Sequence, residues 1–145
     1  MILCFPIYWY SVPAILKGWI DRVFVSGMFY GGRRIFELGG MQGKRALVCA
    51  TVGGREKMFS NDGIHGDLRE LLRPLLKGTL GYTGFDVLDP FFVYHVPYID
   101  DASRKEILDQ WRDVLSNIKQ RQMLKMPVTG DYDQNFENCI AEKYQ

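Results

Sequence analysis

Met1-Ile-Leu-Cys-Phe5, Pro6-Ile-Tyr-Trp-Tyr10 and Ser11-Val-Pro13 read in succession as a strand, a turn and the start of a helix. The run from Met1 to Phe5 is apolar without alternation, as in a strand covered on both faces. Pro6 ends it, and the aromatics Tyr8, Trp9 and Tyr10 fill the turn. Ser11 is expected to cap the helix, with Pro13 in its first turn, where a missing N–H does no harm. In an open α/β sheet, ligands bind outside the carboxyl ends of the strands. This turn is therefore the first candidate site. Its place is odd, because a strand that reads as central opens the chain.

Outward from this stretch, Ile15, Leu16, Trp19, Ile20, Val23 and Phe24 recur at helical spacing. They predict an amphipathic helix packed on a sheet and ending near Ser26-Gly27. Residues 27–43 hold six glycines together with Phe29, Tyr30, Arg33, Arg34 and Phe36. A loop of this length is either functional or a mobile surface segment. Ala46-Leu-Val-Cys-Ala-Thr51 is a second all-apolar strand, which points to a parallel sheet covered by helices. It runs into Thr51-Val-Gly-Gly54 and then a loop carrying Phe59 and His65. Asp67 opens a leucine pattern (Leu68, Leu71, Leu72, Leu75, Leu76, Leu80) that Pro74 should kink or split in two.

Phe85 to Tyr94 reads as a third strand, broken or bent at Asp89-Pro90. Asp100 or Asp101 should cap the last helix, whose buried face would be Ile107, Leu108, Trp111, Leu115 and Ile118. Residues 123–145 show no periodicity and are expected to be disordered or draped on a partner. The order β-α-β-α-β-α implies a parallel α/β sheet.

At 145 residues the chain is one domain by length. A net charge of +1, from 18 basic and 17 acidic residues, gives no reason to expect nucleic acid or a charged membrane as partner. Three cysteines without a CxxC pattern argue for a reducing compartment. His65 and His95 share no metal-ligand spacing with them, so no metal is expected. Met1 leads directly into a strand rather than a signal peptide, and no apolar run approaches the ~20 residues that cross a bilayer. The expectation is a cytoplasmic, soluble protein.

Two strand-end turns, Pro6 to Tyr10 and Thr51 to Gly54, should lie side by side. Trp9 and Tyr10 offer stacking surface, and Gly53 and Gly54 let backbone approach a ligand closely. A flavin ring suits such a place, although a bare Gly-Gly after a strand is also an ordinary turn. His65 is either a surface histidine or a group that supports charge and protons at a reduced flavin or a quinone oxygen. His95 reads as structural. Arg33 and Arg34 either meet a phosphate or are solvated. Serine nucleophile chemistry and a Walker-type phosphate loop find no motif here.

The block Phe5-Pro-Ile-Tyr-Trp-Tyr-Ser-Val-Pro-Ala-Ile-Leu-Lys-Gly-Trp-Ile-Asp-Arg-Val-Phe24 resembles the signature of the flavodoxin-like NAD(P)H:quinone oxidoreductases, the DT-diaphorase family. Thr51-Val-Gly-Gly54, Met58-Phe-Ser60 and Gly63-Ile-His-Gly-Asp67 resemble that family's second block. The resemblance implies a three-layer α/β flavodoxin-like fold over residues 1–122, with 123–145 as a C-terminal tail. It implies two-electron quinone reduction by ping-pong hydride transfer from NAD(P)H through bound FAD, in preference to FMN, at a homodimer interface.

By the match, Pro6, Ile7, Tyr8, Trp9 and Tyr10 line the isoalloxazine, and Thr51, Val52, Gly53 and Gly54 meet its polar edge. Arg104 matches an arginine near the adenine end, His65 the catalytic histidine, and Tyr30 a substrate-pocket tyrosine reaching across the dimer.

The chain departs from the family pattern. Phe59 stands where the family has a catalytic tyrosine, which predicts slower flavin reduction and a gain in Phe59→Tyr. Val52 replaces a threonine. Lys77 and Gly81 replace zinc-binding histidines found in one branch. The β-α units that precede this strand in the family, including the phosphate-holding loop, have no counterpart in the sequence. Strands 3, 4 and 5 of the flavodoxin order with their helices would then form an N-terminally truncated fold with an open, apolar edge. Little FAD affinity in isolation is expected. Two other roles stay open: a catalytically weak or inactive chain acting through dimerisation, and an accessory flavoprotein subunit.

Overall fold

The computed structural model describes residues 1–140. Strand β1 spans Ile2–Pro6 and β2 spans Arg45–Thr51. They pair in parallel from Ile2 opposite Leu47 to Pro6 opposite Thr51. The next two strands, β3 (Asp86–Val87) and β4 (Phe91–Val93), both pair in parallel with the far side of β2. They are two halves of one strand position. Between them β2 runs three residues, Ala46 to Cys49, while the partner runs four, Val87 to Phe91.

The extra residue falls at Asp89-Pro90, where proline has no N–H to give the ladder. Arg121 takes the freed carbonyls of Asp89 and Pro90, and the Arg69 guanidinium holds the Asp89 carboxylate at 2.9 Å. The expected parallel sheet and the break in its third strand are both present, and β1 is an edge strand.

One face of the sheet carries the core. Leu3, Phe5, Ala46, Val48, Ala50 and Val87 pack against helix α1 (Ala14–Val23) and the segment that follows Asp67. Within α1 only Leu16, Ile20 and the adjoining Phe24 turn to this core. Ile15, Trp19 and Val23 form a second stripe beside them, with Ile15 85% exposed. The expected single buried face is therefore two stripes, one of them turned to solvent.

Ser11 does not cap α1. Pro13 occupies the cap position without a side-chain hydrogen bond, and Ser11 is instead bonded through its backbone to Tyr8.

Asp67 caps α2 (Leu68–Leu71), accepting from the N–H groups of Arg69 and Glu70. Pro74 then splits the leucine-rich segment into α2, the short α3 (Arg73–Leu75) and a wide turn over Leu76–Gly81 with bonds to the fifth residue back. Leu72, Leu75, Leu76 and Leu80 all reach the core.

The opposite face of the sheet is thinly covered. Helix α4 (Asp101–Ser116) is capped by Asp100 and stacks Trp111 on Phe91 with ring centres 5.3 Å apart. None of its residues is buried, and Leu108 is 57% exposed, so the expected buried face is only half covered. Cys4 and Cys49 sit in register on this face. Burial, and then the neighbouring Cys4 thiol, push the Cys49 thiol up to about 12.

The glycine-rich stretch 27–43 is a packed loop rather than a loose one. Phe36 and Met41 bond to the carbonyls of Tyr82 and Thr83. A Cβ on Gly39 would stand 2.4 Å from the Thr83 backbone, which fixes glycine there. Arg33 and Arg34 are tied to the chain at the surface: Arg34 bonds the Gly27 carbonyl, and Arg33 reaches the Gln134 carbonyl and lies over the Phe136 ring.

The tail, where described, drapes on its own chain. Leu124 bonds Val87, Met126 packs on the core, and the Thr129 amide donates to Glu37. Residues 141–145 of the expected tail lie outside the described residues. Among the described residues no helix is long and apolar enough to cross a membrane.

Candidate functional site

Parallel pairing brings the carboxyl ends of β1, β2 and β4 to one end of the sheet. Backbone bonds fasten them there: Ile7 N–H to the Thr51 carbonyl and Val52 N–H to the Val93 carbonyl, each 2.8 Å. The first turn closes on itself, with the Tyr8 and Ser11 backbones exchanging bonds of 3.0 and 2.9 Å. Between them Trp9 (φ 49°) and Tyr10 (φ 59°) are both left-handed, as a type I′ turn requires. For bulky residues this backbone costs about 1–3 kcal/mol each and is a mark of a functional turn. It presents the Trp9 side chain, 96% exposed, at the mouth of the strand ends.

The second turn uses its two glycines differently. A Cβ on Gly53 would meet nothing within 4 Å, so its backbone is open to approach. A Cβ on Gly54 would stand 2.7 Å from the Phe59 ring. Gly54 is thus needed for internal packing, and Gly53 is the position where a ligand edge can come close. His95 bonds the Gly53 carbonyl at 3.2 Å through Nδ1, which must carry the proton because a carbonyl only accepts. Together with its N–H to the Gly54 carbonyl, this gives His95 the structural role that its position suggests.

His65 is held from several sides. Its N–H bonds the Met58 carbonyl at 2.9 Å, and its ring lies 4.8 Å from the buried ring of Phe59. Nδ1 is 2.8 Å from the Tyr10 hydroxyl. Tyr94 lies behind Phe59, its phenol raised above the ordinary range by burial and by Glu56. The Tyr10–His65 contact is not visible to sequence reading. It spans 55 residues and depends on a left-handed backbone at two residues that do not advertise one.

Of the residues expected at a site, Pro6 to Tyr10, Thr51 to Gly54, Phe59 and His65 are brought to this one end of the sheet. Arg104 sits in the first turn of α4, which also starts at this end, and pairs with Asp101 at 3.8 Å. Tyr30 is not brought there within one chain. Helix α1 carries the backbone to the other end of the sheet, and Tyr30 packs on Tyr82 with ring centres 5.6 Å apart.

These features fit the ring portion of a flavin. An exposed indole and phenol offer flat faces, and the open Gly53 backbone offers an edge. The N–H groups of Trp9 and Tyr10 take no part in the bonds that close their turn.

Residues 1–115 match a family model described as the flavodoxin-like fold. NAD(P)H dehydrogenase (quinone) 1 of Cavia porcellus is 40% identical over 137 residues, covering 94% of this chain and 50% of that protein. A Klebsiella pneumoniae structure described as a quinone reductase superposes with a TM-score of 0.76 at 33% identity, covering 90% of this chain and 54% of that one. The general stress protein 14 of Treponema denticola, solved in complex with FMN, gives 0.66 at 28% identity, covering 82% and 64%. The chain spans about half the length of the curated relatives it matches. The chain belongs to the family of the flavodoxin-like fold.

Proposed function

We propose that this chain serves a flavin-dependent NAD(P)H:quinone oxidoreductase of the cytoplasm that acts as a homodimer, with FAD in preference to FMN. The observation that carries the reading is the joining of an exposed aromatic turn, an open glycine backbone and a clamped histidine at the carboxyl ends of three parallel strands. Bound flavin would supply the two-electron carrier between NAD(P)H and a quinone.

The chain's own part is to bind and orient. Trp9 and Tyr10 cover the ring, and the N–H groups of the two turns meet its polar edge. Phe59 and Tyr94 back the histidine, and His65 supports negative charge or a proton beside the ring. Tyr30 would complete the substrate pocket from the second copy, and Arg104 would meet the adenine end.

The test is to titrate the purified chain with FAD and with FMN. The flavin complex is then reduced anaerobically with NADH or NADPH, and a simple benzoquinone is added. Flavin reduction followed by reoxidation with one quinone consumed per flavin supports the reading. A chain whose flavin is not reduced by either nucleotide contradicts it.

A further inference from the structure

We propose that Tyr10 is a positioning residue for His65: its hydroxyl donates to Nδ1 and fixes the imidazole as the Nε2–H tautomer, so that Nε2–H is the group presented to the flavin ring or the quinone oxygen. This deepens the flavin reading above and rests on it.

The argument begins with the 2.8 Å contact between the Tyr10 hydroxyl and Nδ1. A phenol is the stronger acid of the two neutral partners, so it donates and the imidazole nitrogen accepts. Nδ1 is then engaged, and the proton of a neutral His65 must lie on Nε2. When His65 takes up a second proton on Nδ1, the hydroxyl turns and its oxygen accepts from Nδ1–H. The contact therefore survives both charge states while Tyr10 keeps its proton.

The rest of the cluster fixes the direction in which Nε2 is offered. The buried Phe59 ring covers the imidazole at 4.8 Å, and the His65 backbone is tied to Met58. A Cβ on Gly63 would stand 2.5 Å from the carbonyl oxygens of Lys57 and Met58, so the loop that delivers His65 is tightly drawn.

Two other titratable groups on the neighbouring elements are engaged elsewhere. The Asp67 carboxylate accepts from the amides of Arg69 and Glu70, and Tyr94 is screened by Phe59. His95, the other histidine, places its Nδ1 proton on a carbonyl and so carries the opposite tautomer. The chain thus holds its two imidazoles in opposite protonation patterns by different partners.

Phe59 has no hydroxyl, and Tyr10 puts one on the histidine from the other strand-end turn.

The test uses the full chain without flavin first. Nitrogen-15 spectra of the histidines, recorded above their titration range, should show His65 as a single Nε2–H tautomer with a hydrogen-bonded Nδ1. Tyr10→Phe should return it to a mixture and leave His95 unchanged. His65→Gln should shift the Tyr10 Cζ resonance, which reads the same contact should Tyr10→Phe fail to fold. Flavin-loaded Tyr10→Phe should then keep its flavin and lose about tenfold or more in flavin reduction or quinone turnover, with an altered pH profile.

Unchanged His65 spectra in Tyr10→Phe overturn the proposal. So do changed spectra with unchanged rates and pH profile. A chain that takes up no flavin sinks the reading under Proposed function instead, and the histidine spectra still decide the pair.

Discussion

Gly53 and Gly54 follow one another at the end of β2 and serve different purposes. The space beside Gly54 is filled by the Phe59 ring, so Gly54→Ala should lose about 1–3 kcal/mol in chemical denaturation through overpacking. Gly53→Ala meets no atom within 4 Å and should change stability by less than about 0.5 kcal/mol. The same substitution should weaken flavin binding, because the ring edge loses its close approach to the backbone. A Gly53→Ala chain that binds flavin as well as the wild type would remove that turn from the site.

At this scale the sequence was a partial guide. Trp9, Gly53 and His65 could be picked out as candidates from their types and places. The division of labour between two adjacent glycines, and the Tyr10 hydroxyl on His65, could not be read, because both depend on which side chain fills which space after the strands have paired.

Among the elements, α4 shows how a cap can be read and a burial pattern misread. The Asp100 side chain accepts from the Ser103 amide, and hydrogen bonding from Ser103, first its side chain and then its backbone, holds the Asp100 carboxyl below the ordinary carboxylate range. A depressed carboxyl contributes stability at pH values above the unfolded-state pKa and loses it as the pH falls through the folded one. The first turn of α4 should therefore fray on acidification through the carboxylate range. Amide exchange at Ser103 in Asp100→Asn should lose most of this acid dependence, and an unchanged pH profile would contradict the assignment.

The capping aspartates and the break at Asp89-Pro90 were legible because each follows from the local chemistry of one or two residues. Periodicity in α1 and α4 was read correctly as amphipathic. It could not say what lies opposite an apolar stripe, and so Ile15, Trp19 and Leu108 were expected inside and stand outside. The failed expectation for Ser11 has a similar cause: its backbone is taken by Tyr8 to close the aromatic turn.

For the whole molecule, the alternation of apolar strands and helical segments was enough to specify a parallel α/β sheet. The family blocks then singled out the candidate residues that the fold gathers at one end of it. What remained hidden was the extent of exposed apolar surface.

Ile15, Trp19 and Val23 on α1 form a contiguous stripe of the kind that marks an interaction surface. We propose this stripe as the contact of the proposed homodimer. Trp19→Lys should then lower the sedimenting mass toward that of one chain at micromolar concentration. If wild type and variant sediment alike, the stripe is not the dimer contact.

The central claim is that the two strand-end turns form the ring-binding part of a flavin site. Amide and histidine chemical-shift mapping of the full chain during titration with FAD tests it most directly, because it registers binding as weak as Kd above about 1 μM. The account predicts saturable shifts at Trp9, Tyr10, Val52, Gly53 and the His65 ring. Shifts confined to other surfaces, or none at millimolar flavin, would contradict it.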